Sequence, residues 1–253
     1  MIITLLVWSE RLLSLAILFQ TIELLQLRPA WADAGVWRWP VLRRESARFD
    51  FFLNEKHFAA LLWIRLVSCV GVWLLYPYAL FIGILFFSTW LISIRWRGIF
   101  NGGSDSMTAL IAFSLWIAQS FSHHSPVIKA CFAYIAIQIT ASYFIAGIVK
   151  LKNIEWRSGV ALPVFFNTPR YDSPPEWVRK LFEVPTRAKT LSWAVIIFEC
   201  SFPLSWVSPS FFSAYLCMAL GFHLLNFWVF GLNRFFFAWL AGYPALYFWS
   251  HRG

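Results

Sequence analysis

The sequence predicts an all-α integral membrane protein, a bundle of about eight helical spans with no soluble domain. Of its 253 residues, 60% are hydrophobic and only 13% are charged, whereas soluble proteins carry about 25% charged residues. The 16 Trp and 27 Phe exceed what a soluble core of this length requires. The apolar residues also fall in runs close to the roughly 20 residues with which a helix crosses a bilayer. We expect a single transmembrane domain over residues 1–253.

Span boundaries follow the residues that interrupt the apolar runs. The first run continues past Glu10 and Arg11, so it is too long for the apolar region of a cleavable signal peptide. A "YPY" turn at 76–78 joins the second and third spans, and Pro209 separates the sixth from the seventh because proline breaks a helix. The fourth run is short, so we expect a tilted or partly buried helix. The predicted spans are 3–26, 58–75, 77–94, 107–121, 127–150, 190–207, 211–231 and 235–249.

Basic residues orient the predicted bundle. With eight spans, most of the 21 Lys and Arg fall on one side, in the long segments 28–57 and 151–189 and in the short loop with Arg95 and Arg97. Such loops face the cytoplasm, so both termini are expected outside, in a bacterial inner or plasma membrane. The Trp residues of the two long segments are typical of the membrane interface. The net charge of +9 therefore reflects membrane topology and not nucleic-acid binding.

Cysteine usage and the absence of common motifs exclude several chemistries. The cysteines lie inside apolar runs without CxxC spacing, where free Cys packs as a small hydrophobic residue. Structural disulfides and a metal site are therefore not expected. The sequence also lacks HExxH, GxSxG and phosphate-loop motifs. The four cysteines are Cys69, Cys131, Cys200 and Cys217.

Ionisable residues inside the predicted spans are costly and are usually functional. Counting about 1.5 Å per helical residue places Arg65, Glu199 and His223 roughly 12–15 Å from the basic side, with Lys150, Asp105 and Glu23 nearer to that side in the same leaflet. A structural interpretation stays open beside a functional one. In it, Arg65 pairs with Glu199, His223 bonds a neighbouring helix and Lys150 extends to the interface. The candidates are Glu10, Arg11, Glu23, Arg65, Glu199 and His223, with Lys150 at a helix end and Asp105 before the fourth span.

Two stretches carry a family resemblance. The stretch "YFIAGIVKLKNIEW" has the form Tyr-Phe-x-Ala-Gly-x-x-Lys-Leu followed by Trp and Gly, and the C-terminal third holds a His, Asn, Phe, Leu and Pro series. The matching residues are Tyr143, Phe144, Ala146, Gly147, Lys150, Leu151, Trp156 and Gly159, then His223, Asn226, Phe230, Leu240 and Pro244. In these stretches the chain resembles the horizontally transferred transmembrane (HTTM) family, which is related to the membrane domain of vitamin K-dependent γ-carboxylases. The resemblance covers most of the chain, over residues 1–250.

This resemblance implies that Lys150 is a base that deprotonates a reduced, menaquinol-like quinone. A lysine desolvated by apolar walls favours its neutral form, which accepts protons. Gly147 lies one turn before it on the same face, where a flat ring could approach the backbone. We expect Asp105 and His223 to complete the catalytic group. The expected substrate- or lipid-binding residues are Gly147, Tyr143, Arg65, Glu199, Asn101, Asn226 and Trp156.

The chain departs from the carboxylase pattern at three points. The carboxylases have Lys-Lys where this chain has Val149 and Lys150. They carry Asn-His near the fourth span, where this chain reads "FNGGSDS", so Asp105 or His223 would have to replace that histidine. They also append a large soluble domain that holds a peptide substrate. A full peptide carboxylase is therefore not expected.

Two functions of different classes follow. The first is a membrane enzyme of quinol- or lipid-linked oxidation or proton abstraction, which requires one cavity, open to lipid, lined by Lys150, Asp105, His223 and Glu199. The second is a non-enzymatic subunit that binds lipid or anchors a membrane or redox partner protein. It would leave Lys150 facing water while Arg65 and Glu199 seal a packed interface. A transporter would show broken, repeated helices, which the sequence does not.

Overall fold

A computed structural model confirms the all-α class. It describes residues 1–43, 47–75, 78–96, 103–166 and 176–251. Of these residues, 88% are helical and none lies in a β-strand. Asn101 and the turn residues 76–77 lie outside the described residues. The chain divides into two compact units, one of Met1–Ile135 and Phe237–Ala245 and the other of Ala136–Phe236 and Leu246–Gly253.

The first unit is built on four long helices that form a ring of neighbours. In this ring α1 packs on α5 and α7, and α6 packs on α5 and α7. Short helices fill the segment between α1 and α5. The helices are α1 (Ile2–Gln26), α2 (Arg28–Trp31), α3 (Trp39–Leu42), α4 (Asp50–Leu53), α5 (Glu55–Leu74), α6 (Ala79–Arg95) and α7 (Gly103–Ser120), with a 3₁₀ turn at Ala47–Phe49. The next helix, α8 (Ser125–Lys152), begins in the first unit and ends in the second.

Local signals fix the helix ends of the second unit. Asn153 stops α8 and caps the following helix, because its side chain accepts a hydrogen bond from the Glu155 amide at 2.7 Å. Ser208 caps the start at Pro209, and Gly231 ends that helix with a φ of 66°, which glycine adopts without strain. The helices are α9 (Ile154–Ser158), α10 (Ala161–Phe166), α11 (Glu176–Glu183), α12 (Pro185–Ser201) and α13 (Pro209–Phe230), with a 3₁₀ turn at Phe202–Trp206. The last helix, α14 (Asn233–Ser250), has its ends in the second unit and its middle, Phe237–Ala245, in the first.

All eight predicted spans are helical. Four helices, α1, α5, α8 and α13, are long and apolar enough to cross a membrane, while α6 is apolar but has only 17 residues. The total of eight spans therefore stays a prediction. Pro203 lies where α12 gives way to the 3₁₀ turn, so this helix ends earlier than the predicted limit of 207.

The outer face of α5 is apolar. Five of its large apolar side chains are 46% to 74% exposed and recur at the spacing of one helix face. An apolar stripe of this kind is unfavourable in water and compatible with lipid. The residues are Trp63, Ile64, Val67, Val70 and Leu74.

Arg95 ties the segment between α1 and α5 to the end of α6. From the sequence it is one basic loop residue among many, yet its side chain is fully buried. Its guanidinium donates hydrogen bonds to the carbonyl oxygens of Leu53, of Trp31 at 2.8 Å and of Trp37 at 3.5 Å. The same group lies 4.3 Å from the centre of the Phe58 ring, where a cation is attracted by the aromatic face. One side chain therefore holds three separate backbone positions.

We predict that Arg95→Lys destabilises the protein by about 2–4 kcal/mol. Lysine keeps the charge but lacks the planar fork that reaches several carbonyls at once, and hydrogen bonds to charged groups contribute about 1.5–3 kcal/mol each. Thermal unfolding in detergent measures the loss. Arg28→Lys is the matched control, because Arg28 is 64% exposed and forms only a surface ion pair with Glu55. Equal losses in the two variants would contradict the role of Arg95.

Candidate functional site

In the second unit, one face of α8 contacts α12 and the 3₁₀ turn that follows it. Thr140 accepts a hydrogen bond from the Trp206 indole at 2.8 Å. Three residues further on, the Tyr143 ring stacks on Phe202 with ring centres 4.0 Å apart. Residues spaced by three or four share a helix face, so the same face next presents Gly147 and then Lys150. As the chain ascends α8, its partners descend α12, which makes the two helices antiparallel.

Gly147 allows these two helices to approach closely. A Cβ atom at this position would lie 2.6 Å from the backbone nitrogen of Cys200 and 2.9 Å from the carbonyl carbon of Glu199. Only glycine leaves enough room for backbone this near. The space expected to admit a flat ring is filled by α12, so we assign Gly147 to helix packing and not to substrate contact.

Lys150 and Glu199 form a largely buried ion pair. The Lys150 ammonium donates to both carboxylate oxygens of Glu199, at 2.8 and 2.6 Å. The Glu199 side chain is 3% exposed and that of Lys150 is 18% exposed. The ammonium also lies 5.1 Å from the centre of the Trp156 ring, a favourable cation–π distance. Lys150 therefore does not extend freely into solvent from the end of α8 but bonds Glu199.

His223 is held by Tyr143 in the same unit. The Tyr143 hydroxyl and His223 Nε2 are 2.7 Å apart, and His223 is 4% exposed. Phe198, the residue before Glu199, packs edge-on against the Tyr143 ring at 5.5 Å. Tyr143 and Lys150 are seven residues apart on α8, or about 10 Å along the helix axis. The rings of Phe198 and Phe202 therefore pack around the Tyr143 end of this hydrogen bond.

Arg65 is the centre of a separate polar network in the first unit. It is 1% exposed and donates to Gln20 Oε1 at 3.0 Å and to Thr89 Oγ1 at 3.1 Å. The Gln20 amide reaches Asp105 and Thr108, each at 3.4 Å, so the network links all four long helices. Gln20 was not predicted because it is uncharged. A lone amide inside an apolar run is the signal that identifies it.

The predicted site residues are therefore divided between the two units. Arg65 and Glu199 each find partners in their own unit, so the ion pair expected between them is replaced. Asp105 accepts a hydrogen bond from Gln20 within the first unit. The expected cavity lined by Lys150, Asp105, His223 and Glu199 stays a prediction, because Asp105 belongs to a different unit from the other three. Asn226 lies three residues after His223 on α13 and is half-buried. Its carbonyl accepts the Leu232 amide at 3.3 Å, which is a helix-end contact.

Glu10 stands out among the remaining intramembrane candidates. Its side chain is fully buried in α1. Within the described ranges, neither of its carboxyl oxygens has a hydrogen-bond partner. Arg11 beside it places its guanidinium 5.3 Å from the centre of the Trp73 ring. A buried carboxyl without a partner is costly when it is charged. Since no described contact of Glu10 points to a ligand, we assign it no binding role.

Comparison with known proteins adds no relative: no family model, curated protein or solved structure matches this chain. Among the described residues, no group of three or more His, Cys, Asp or Glu side chains is placed to hold a metal ion. Function is therefore inferred from the contacts of the two polar groups and from the resemblance of the Lys150 stretch.

We predict strong coupling between Lys150 and Glu199 in stability. Lys150→Met leaves a buried carboxylate without its partner and costs about 3–5 kcal/mol, whereas replacing both residues by Met costs far less. Unfolding of the two single variants and the double variant in detergent gives the coupling. The matched control is the exposed pair of Lys180 and Glu176, for which about 0.3–0.5 kcal/mol is expected. Additive losses at Lys150 and Glu199 would contradict the pair.

We also predict that Gly147→Ala lowers stability by about 1–3 kcal/mol, because the added methyl meets the α12 backbone and forces the helices apart. Gly221→Ala in α13 is the control, since its Cβ would meet nothing within 4 Å. Alanine there gains about 0.5–1 kcal/mol from helix propensity. The same unfolding assay measures both, and the account requires changes of opposite sign.

Proposed function

We propose that this chain is an HTTM-type integral membrane protein that binds a lipid-soluble quinol beside Lys150 and Glu199. The observation that carries the proposal is the largely buried ion pair, whose Lys150 ammonium lies 5.1 Å from the centre of the Trp156 ring. A flat apolar ring with hydroxyl groups matches such a site, because the Trp156 ring offers a stacking surface. The pair supplies charge-assisted hydrogen bonds to a hydroxyl.

The proposed placement is a bacterial inner or plasma membrane, with eight spans, basic loops in the cytoplasm and both termini outside. Four helices of membrane-crossing length and the apolar outer face of α5 support it. Lys150 and Lys152 at the end of α8 lie where a span would meet the cytoplasmic interface.

The Lys150–Glu199 pair suits proton abstraction because it can rearrange without net charge. When the bound quinol ring excludes water, separated charges become costly, so the shared proton moves to Glu199 and leaves Lys150 as a neutral amine. Lys150 then takes the proton of a quinol hydroxyl, and the O–H electron pair stays on the quinol oxygen. The resulting ammonium balances that negative oxygen, and Glu199 retains its proton. One O–H bond breaks and one N–H bond forms.

Other residues of the second unit position the ring. The hydrogen bond between the Tyr143 hydroxyl and His223 Nε2 fixes the Tyr143 side chain, which packs on Phe198, the residue before Glu199. Trp156 holds the Lys150 ammonium from the other side. We assign Arg65 and Asp105 to the network that joins the helices of the first unit.

A non-enzymatic membrane subunit is the second candidate function. The observation in its favour is that Lys150 already bonds both carboxylate oxygens of Glu199, so the pair is also complete as a tie between α8 and α12. In that case the protein would anchor a membrane or redox partner and bind lipid without chemistry.

Quinone analysis of the purified protein tests the proposal. We expect quinone to copurify with the wild type, to be lost from Lys150→Met and Glu199→Gln, and to be retained by Lys152→Met, which removes an exposed lysine two residues away. Circular dichroism and gel filtration establish that each variant is folded. Absence of quinone from the wild type, or equal amounts in all variants, would favour the non-enzymatic subunit.

Lys150→Arg separates binding from chemistry. Arginine keeps the ion pair with Glu199 but does not lose its proton. We expect this variant to bind quinol and to fail in quinol oxidation by oxygen, followed as oxygen uptake. Uptake at the wild-type rate would mean that Lys150 is not the base.

A further inference from the structure

A second site lies in the segment that links α8 to α12. A cavity of about 600 Å³ opens between α9, α10, α11 and the start of α12, within the range of about 300–1,000 Å³ typical of small-molecule sites. One side is apolar and includes Val164, Phe182 and Ala188, while the other is formed by the charged face of α11. Neither Lys150 nor Glu199 lines it.

Two of the four charged α11 side chains that line the cavity form an ion pair with each other. Glu176 and Lys180 form an ion pair with a distance of 2.8 Å. Arg179 and Glu183 also line the cavity, and in the part of the chain that the structure describes neither has an ion-pair partner. They are four residues apart and so lie on the same face of α11. The cavity therefore presents one available cation and one available anion about 6 Å apart along the helix.

The rim of the cavity is apolar and exposed. Val160 and Val164 are 54% and 59% exposed, and Trp177 on α11 is 62% exposed. Exposed apolar groups beside charged ones indicate a surface that meets another phase or molecule, and Trp is typical of the membrane interface.

We propose that this cavity binds the head group of a phosphatidylethanolamine-type phospholipid. Its phosphate would pair with Arg179, whose planar guanidinium matches phosphate oxygens, and its ammonium would donate to Glu183. The glycerol and the first acyl carbons would lie on Phe182 and Val164. A purely anionic head would bring negative charge against Glu183, and a choline head has no N–H to donate. The site is independent of the quinol proposed near Lys150.

Lipid titration of the purified protein, followed by native mass spectrometry, tests this site. We expect phosphatidylethanolamine to bind about tenfold more tightly than phosphatidylglycerol or phosphatidylcholine, as expected for one charge-assisted hydrogen bond. Glu183→Gln should remove that preference, because phosphatidylethanolamine loses its charged acceptor and phosphatidylglycerol no longer meets a negative charge. Arg179→Gln should weaken both lipids about tenfold. Both side chains are exposed, so these variants are expected to fold.

Arg187→Gln is the matched control, because it removes an exposed arginine that does not line the cavity. In a second experiment free phosphoethanolamine is added as a competitor, and it should not displace the lipid. Three results would overturn the proposal: no preference among the lipids, equal effects of Arg179→Gln and Arg187→Gln, or competition by free phosphoethanolamine. Quinone content should be unchanged in all three variants, so failure here is distinguishable from failure of the Lys150 proposal.

Discussion

The cost of holding a charge away from water governs how these helices are joined. A buried charge is tolerated where another segment supplies its partner. Arg95, Arg65 and Lys150 find such partners in three different ways. Arg95 donates hydrogen bonds to backbone carbonyls, Arg65 donates to neutral side chains, and Lys150 donates to a carboxylate. Each of these contacts fixes which helix lies beside which, so the charged residues that seem least suited to the apolar runs determine the arrangement within each unit.

The difference between these solutions separates structure from chemistry. A guanidinium does not lose its proton, so Arg65 and Arg95 hold helices and loops together without a second protonation state. Lysine and glutamate can each exist charged or neutral, so the pair of Lys150 and Glu199 can exchange a proton while its net charge stays the same. That property, together with the Trp156 ring beside Lys150, makes this pair the centre of the proposed quinol chemistry.

The sequence predicts the helices better than their partners. Apolar runs and Pro209 place every long helix, because length and hydropathy are local properties. Depth along a span is also local, so it brings Arg65, Glu199 and His223 to one level but leaves open which helix faces which. From depth alone, Glu199 was a possible ion-pair partner for Arg65, whereas in the structure it bonds Lys150. Gly147 was expected to leave room for a flat ring, whereas that room is occupied by the backbone of α12. The burial of Arg95 depends on the fold of the preceding segment, which charge counting does not reveal.

The central claim is that Lys150 and Glu199 act as one unit that changes protonation when quinol binds. Infrared difference spectroscopy of the reconstituted protein, recorded before and after quinol addition, reports this directly through the carbonyl band of a protonated carboxyl group. The account predicts that such a band appears in the wild type and is missing in Glu199→Gln. If no band appears, or if the band persists in Glu199→Gln, the pair does not carry the proton and the proposed chemistry at Lys150 is wrong.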